Sequence, residues 1–104
     1  MTYKDFENCG LKKSLDLLSG KWKPLILHHL FLEDKIRFIE LWRMMPRVSK
    51  KVLLEQLKNM EEDQLIRRIE IKSFPTQVYY SLHENTRALG PALQIMERWG
   101  SNRC

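Results

Sequence analysis

Residues 35–63 constrain this chain more tightly than any other stretch. Phe38, Leu41, Trp42 and Met45 recur at helical spacing, and Leu53, Leu57 and Met60 do so again after a short turn at residues 45–48. Pro46 interrupts a continuous helix, so the two apolar faces belong to two helices. The second has a clear start. Ser49 is a good N-cap, and Val48 and Leu53 stand where a hydrophobic staple forms across it. Lys50 and Lys51 follow the cap directly. Lysines in a first turn oppose the helix macrodipole, at a cost of a few tenths of a kcal/mol each. Phosphates opposite would account for them, because a helix N-terminus and a lysine both attract anions. The layout is that of a helix-turn-helix with its second helix offered to an anion.

The charge distribution agrees. Residues 35–58 hold seven basic side chains against two acidic ones, which accounts for the whole net charge of +5. The remainder carries 11 of each sign. A basic excess confined to one element points to a phosphate-binding face rather than to general solubility.

The rest of the chain supplies the frame. Leu11, Leu15 and Leu18 predict a first helix over residues 11–19, ended by Ser19 and Gly20. A second begins near Lys21, with Pro24 tolerated in its first turn. Ile36 and Arg37 read as a very short strand. Beyond Asp63 and Gln64 the period drops to two, and residues 65–72 and 77–82 predict two strands joined by a loop at residues 73–76. Residues 84–103 return to helical spacing with Leu89, Leu93, Met96 and Trp99, and Gly90-Pro91 either kinks that helix or marks its true start. A helix-turn-helix (about 38–63) followed by a hairpin wing (about 65–82) is a winged helix-turn-helix, mainly α with a small β-hairpin. At 104 residues the chain is expected to be one domain.

Here the chain resembles the HxlR-type winged helix-turn-helix transcriptional regulators. The shared features run from Cys9 to Trp99. They include Gly20-Lys21-Trp22 with Ile26-Leu27, Arg37-Phe38 with Glu40-Leu41, and Pro46 before Val48-Ser49. Val52-Leu53 and Leu57 then lead to Glu61-Glu62-Asp63 and Leu65-Ile66. Pro75, Val78 and Tyr80-Ser81-Leu82 precede the closing helix. The resemblance implies a homodimeric DNA-binding regulator whose terminal helices, residues 11–19 and 84–103, form much of the dimer interface. Four departures bear on structure. Gln64 replaces a usual glycine, so the turn into the wing must be made otherwise. His83 and Thr86 stand where threonine and glycine are usual, and His83 is the poorer helix cap. Tyr79 replaces a common acidic residue.

The candidate DNA contacts follow from residue type and place. Ser49, Lys50 and Lys51 face phosphate at the helix start, with Ser49 able to cap or to donate but hardly both. Further along the same helix, Gln56 and Asn59 can read adenine and Lys58 can reach guanine, with Glu55 on the same polar face. Arg37, Arg43 and Arg47 brace the backbone without reading sequence, although Arg37 could pair with Glu40 instead. On the wing, Lys72, Ser73, Thr76 and Gln77 surround the tip. Phe74 is read as a packing residue rather than a wedge. Trp22, Trp42, Phe31 and Phe38 are read as core or interface.

Leu11, Leu15, Leu18, Leu89, Leu93, Met96 and Trp99 are more apolar surface than one small core needs, and predict the dimer interface. Cys9, ahead of a helix and beside Lys12 and Lys13, is the one candidate redox sensor. Its partner could be Cys104 or a second Cys9. No nucleophile–base pair, glycine-rich phosphate loop or catalytic carboxylate pair is present, so no enzyme and no cofactor is expected. His28 and His29 are adjacent and diverge on a helix, and no Cys/His ligand spacing exists, so no metal is expected either. Residues 1–10 do not read as a signal peptide, no run approaches the roughly 18 apolar residues a membrane helix needs, and two cysteines fit a reducing cytoplasm. Two alternatives stand beside the plain DNA-binding regulator. One answers to an oxidant at Cys9 or to a small molecule in the dimer core. The other is a winged-helix protein-interaction module, against which the confined charge argues.

Overall fold

The computed structural model describes residues 9–103. In chain order these form α1 (Gly10–Leu17), α2 (Lys23–Leu32), β1 (Ile36–Arg37), α3 (Phe38–Met44), α4 (Lys50–Glu62), β2 (Ile66–Ile71), β3 (Gln77–Leu82), a 3-10 helix (Glu84–Leu89) and α5 (Gly90–Ser101). The core draws on nearly every element after α1. Ile26, Leu27 and Leu30 of α2, Leu41 of α3, and Leu53, Leu57 and Met60 of α4 meet Ile36, Ile66, Tyr80 and Leu82 of the sheet. Each such side chain contributes about 1.5–3 kcal/mol by leaving water.

The three strands are antiparallel in the order β1-β3-β2. Tyr80 in the centre pairs with Ile36 on one side and Arg68 on the other. Only the root of the wing is anchored. Ile66 is buried, Ile69 half-buried and Ile71 exposed, so β2 leaves the core as it runs outward. At the root the His83 amide donates to the Leu65 carbonyl at 3.1 Å, and the Ser81 hydroxyl donates to the Asp34 carbonyl at 2.8 Å.

The turn from α4 into the wing is made by the geometry a glycine would give. The Leu65 amide donates to the Met60 carbonyl at 2.9 Å and the Gln64 amide to that of Glu61 at 3.0 Å. This is a Schellman closure with Gln64 at its left-handed position, φ 60°. The expectation that Gln64 requires a different turn is therefore corrected: the helix-ending hydrogen bonds hold the conformation, and glutamine bears its cost. His83 is also a working cap, since its Nδ1 accepts from the Asn85 amide at 3.3 Å. It caps the 3-10 helix, however, and the α-helix proper starts at Gly90, with Pro91 in its first turn. Phe31 of α2 fixes that junction. A Cβ on Gly90 would lie 1.9 Å from its ring, so only glycine lets the two elements approach.

α1 buries none of its residues. Leu11 is 68% exposed and Leu15 58%, and on α5 Met96 and Trp99 are each 62% exposed. Leu93, expected on the same outer face, instead lies in the core, and Leu18 packs against it. Leu89 is half-buried. Ile95, Leu25 and Leu32 extend the exposed apolar surface beyond the residues expected there. Among the described residues no helix is long and apolar enough to cross a membrane.

Candidate nucleic-acid interface

The helix-turn-helix is locked by local bonds. The Ser49 hydroxyl oxygen accepts from the Val52 amide at 3.1 Å, closing the first turn of α4. Val48 and Leu53, the staple pair, are both buried. The Trp42 indole N–H donates to the Val48 carbonyl at 3.0 Å, tying α3 to the residue before the cap. Phe38 stacks on Trp42 with ring centroids 6.4 Å apart. These contacts fix where α4 begins and how it leaves the turn.

Capping leaves Ser49 free for a second task. A hydroxyl carries one donor and two acceptor positions, so Ser49 can hold Val52 and still donate outward.

Lys50, Lys51, Glu55, Lys58 and Asn59 are all exposed along α4. Gln56 is not on that face. It is half-buried, and its side-chain carbonyl oxygen is buried without a hydrogen-bond partner among the described residues. Arg37 and Arg43 share a cleft of about 430 Å³ with Glu40 and with Thr76 of the wing's tip loop. Arg37 does not pair with Glu40. Among the described residues, none of Arg37, Arg43, Arg47, Lys50, Lys51, Lys58 and Lys72 takes part in a salt bridge. A row of uncompensated cations along one face costs self-repulsion unless an anion meets it.

Arg47 sits apart from that cleft. It lines a groove of about 310 Å³ with Trp22, Leu25, His29 and Met44, between α2 and the turn. Burial, and then the neighbouring His28, hold the His29 imidazole below its usual 6.5. On the wing, Lys72, Ser73 and Thr76 are exposed, whereas Gln77 is half-buried and its Oε1 accepts from the Tyr79 hydroxyl at 3.0 Å. Tyr79 in turn carries the Lys35 ammonium over its ring, 4.8 Å from the centroid. Phe74 is fully exposed, which overturns its reading as a packing residue. Cys9 is a half-buried free thiol at the start of α1, and Cys104 lies outside the described residues. No group of three or more His, Cys, Asp or Glu is placed to hold a metal among the described residues.

A capped helix behind a tight turn, an antiparallel wing and a band of unpaired cations define a winged-helix DNA-binding regulator. The sequence matches the HxlR-like helix-turn-helix family over residues 17–104, and the chain belongs to that family. It is 40% identical over 96 residues to the uncharacterized HTH-type transcriptional regulator YdeP of Bacillus subtilis strain 168, covering 92% of this chain and 74% of YdeP. In structure it superposes on the redox regulator HypR in its oxidized form with a TM-score of 0.83, at 34% identity, covering 90% of this chain and 96% of HypR. The reduced form of the transcriptional regulator YodB from B. subtilis gives a TM-score of 0.75 at 31% identity, covering 100% and 95% of the two chains. Family membership makes this a non-enzymatic, DNA-binding transcriptional regulator.

Proposed function

We propose that the chain works as one winged helix-turn-helix unit in a cytoplasmic homodimer that binds a pseudo-palindromic operator. Each α4 enters a major groove, and the two helices stand roughly 34 Å apart, one turn of DNA. Lys50, Lys51 and Ser49 hold phosphate at the helix start, while Glu55, Lys58 and Asn59 meet base edges. Arg37, Arg43 and Thr76 hold the backbone between α3 and the wing, and Lys72 reaches the neighbouring groove. The observation that carries this reading is the capped first turn of α4, which presents two unpaired lysines beside a helix N-terminus. The exposed apolar faces of α1 and α5 support the dimer.

Selection of bound duplexes from a random library tests it. The expected product is an enriched inverted repeat with half-site centres about 10 base pairs apart. Enrichment of a single unrepeated half-site, or of nothing, would contradict the reading.

A second reading adds a signal. HypR is a redox regulator and resembles this chain over 90% of its length, and Cys9 is a partly exposed thiol at the start of the unburied α1. Oxidation of Cys9 to a sulfenic acid or a disulfide would then change the dimer contact and with it the helix spacing. Wild type should lose or gain operator affinity under mild oxidant while Cys9→Ser does not. An equal response of the two proteins removes Cys9 from that role.

A further inference from the structure

The wing ends in an aromatic ring that touches nothing in its own protomer. Ile71 and Gln77 form the last pair of the hairpin, and residues 72–76 close it. Within that loop the Ser73 hydroxyl donates to the Pro75 carbonyl at 2.6 Å, which pins the two residues on either side of Phe74 to each other. Phe74 stands between them with a relative exposure of 105%, that of a side chain in an open peptide. A phenyl ring presented this way forgoes burial in the free protein.

Its surroundings say what covers it. Lys72 stands two residues before Phe74 in the same loop and has no ionic partner among the described residues. Thr76 of this loop and Val78 of β3 line the cleft that holds Arg37 and Arg43. The wing therefore extends from a surface that attracts phosphate and repels a second copy of itself. A flat apolar group beside a cation is the combination that enters a minor groove, the cation meeting phosphate and the ring sliding between base pairs.

We propose that Phe74 is a wing-tip wedge that partly unstacks one base step in the minor groove and kinks the operator toward the major groove. This rests on the DNA-binding reading above and adds to it a deformation, with a sequence preference at a position where no hydrogen bond is made. Pyrimidine–purine steps unstack most readily, so such a step should lie under each wing. A phenyl ring carries no polar atom and so strands none between the bases.

The test uses the full chain and the tightest duplex of about 30 base pairs recovered by selection. It is labelled at its ends for energy transfer and carries 2-aminopurine at successive steps outside the half-site. Wild type should shorten the end-to-end distance and brighten 2-aminopurine at one step under each wing. Phe74→Ala should lose both signals and bind more weakly by about 5- to 150-fold per wing, roughly 30- to 20,000-fold for the two wings of a dimer, the range for loss of one base–aromatic stack each. The slope of log affinity against log salt should stay the same, because no charge is removed. Phe74→Leu, still a wedge, should keep part of the bend. Full exposure of Phe74 means that these variants keep the parent's thermal midpoint. Equal bend, brightness and affinity in wild type and Phe74→Ala would overturn the proposal. So would a Phe74-dependent self-association in sedimentation, which would assign the ring to another copy of the chain. If wild type binds no duplex at all, the DNA-binding reading itself falls, an outcome distinct from binding without a bend.

Discussion

At the scale of single residues, the positions that look wrong for the fold carry most of the information. Gln64 holds a left-handed conformation that costs an L-residue roughly 1–2 kcal/mol, because two Schellman bonds leave no other way out of α4. Gln64→Gly should therefore stabilise the protein, by up to about 1 kcal/mol once the extra freedom of glycine in the unfolded chain is set against it. Urea midpoints of the two proteins measure this, and a lower midpoint for the glycine variant would show that the glutamine side chain earns its place. His29 gives a pH signature. Its folded-state pKa lies below 6.5 because burial, and then His28, disfavour the charged ring. The unfolded chain thus takes up the proton first as pH falls. Stability from this residue is complete above the unfolded value and declines as pH drops through 6.5 toward the folded one. His29→Gln should lose less stability than wild type between about pH 7 and about pH 5. Parallel losses in denaturant titrations would contradict that assignment.

At the scale of elements, local patterns were legible and long-range ones were not. The turn at Pro46, the Ser49 cap and the two-residue period of the wing are set by neighbours a few residues away, and each sits where the sequence places it. The brief strand at Ile36 also sits where expected, although its pairing partner, Tyr80, is far along the chain. The last helix was only half legible. Glycine and proline mark its start, but the preceding 3-10 helix depends on His83 as cap and on Phe31 pressing against Gly90, 59 positions away. Leu93 and Gln56 show the same limit within the candidate sites. Helical spacing places a residue on a face, yet whether that face is inward depends on which other element packs there. Gln56 turned half inward, and Leu93 joined the core. Phe74 was misread because aromatic residues usually pack, and a loop tip that packs against nothing has no sequence signature of its own. The unburied α1 yields a prediction at this scale. Leu15→Glu combined with Trp99→Glu should shift the protein from dimer to monomer in sedimentation at micromolar concentration, with little change in protomer helicity, since both side chains are exposed. A variant that stays dimeric would move the interface away from α1 and α5.

At the scale of the whole molecule, an acid–base balance over most of the chain is joined to a basic block that makes no salt bridge among the described residues. All of the net +5 lies in residues 35–58. The wing and α3 close a cationic cleft, α4 offers its N-terminus, and α1 and α5 leave apolar side chains exposed. The central claim is that the start of α4 is where phosphate binds, and salt dependence tests it most directly. Affinity for a selected duplex and for a mixed-sequence duplex should be followed from about 50 to about 200 mM salt, over which 6–10 phosphate contacts cost about 10³–10⁵ in affinity. Lys50→Ala with Lys51→Ala removes up to four such contacts from a dimer. The account predicts weaker binding to both duplexes and a log–log slope flatter by about 3–4. Unchanged affinity and an unchanged slope in that variant would contradict it.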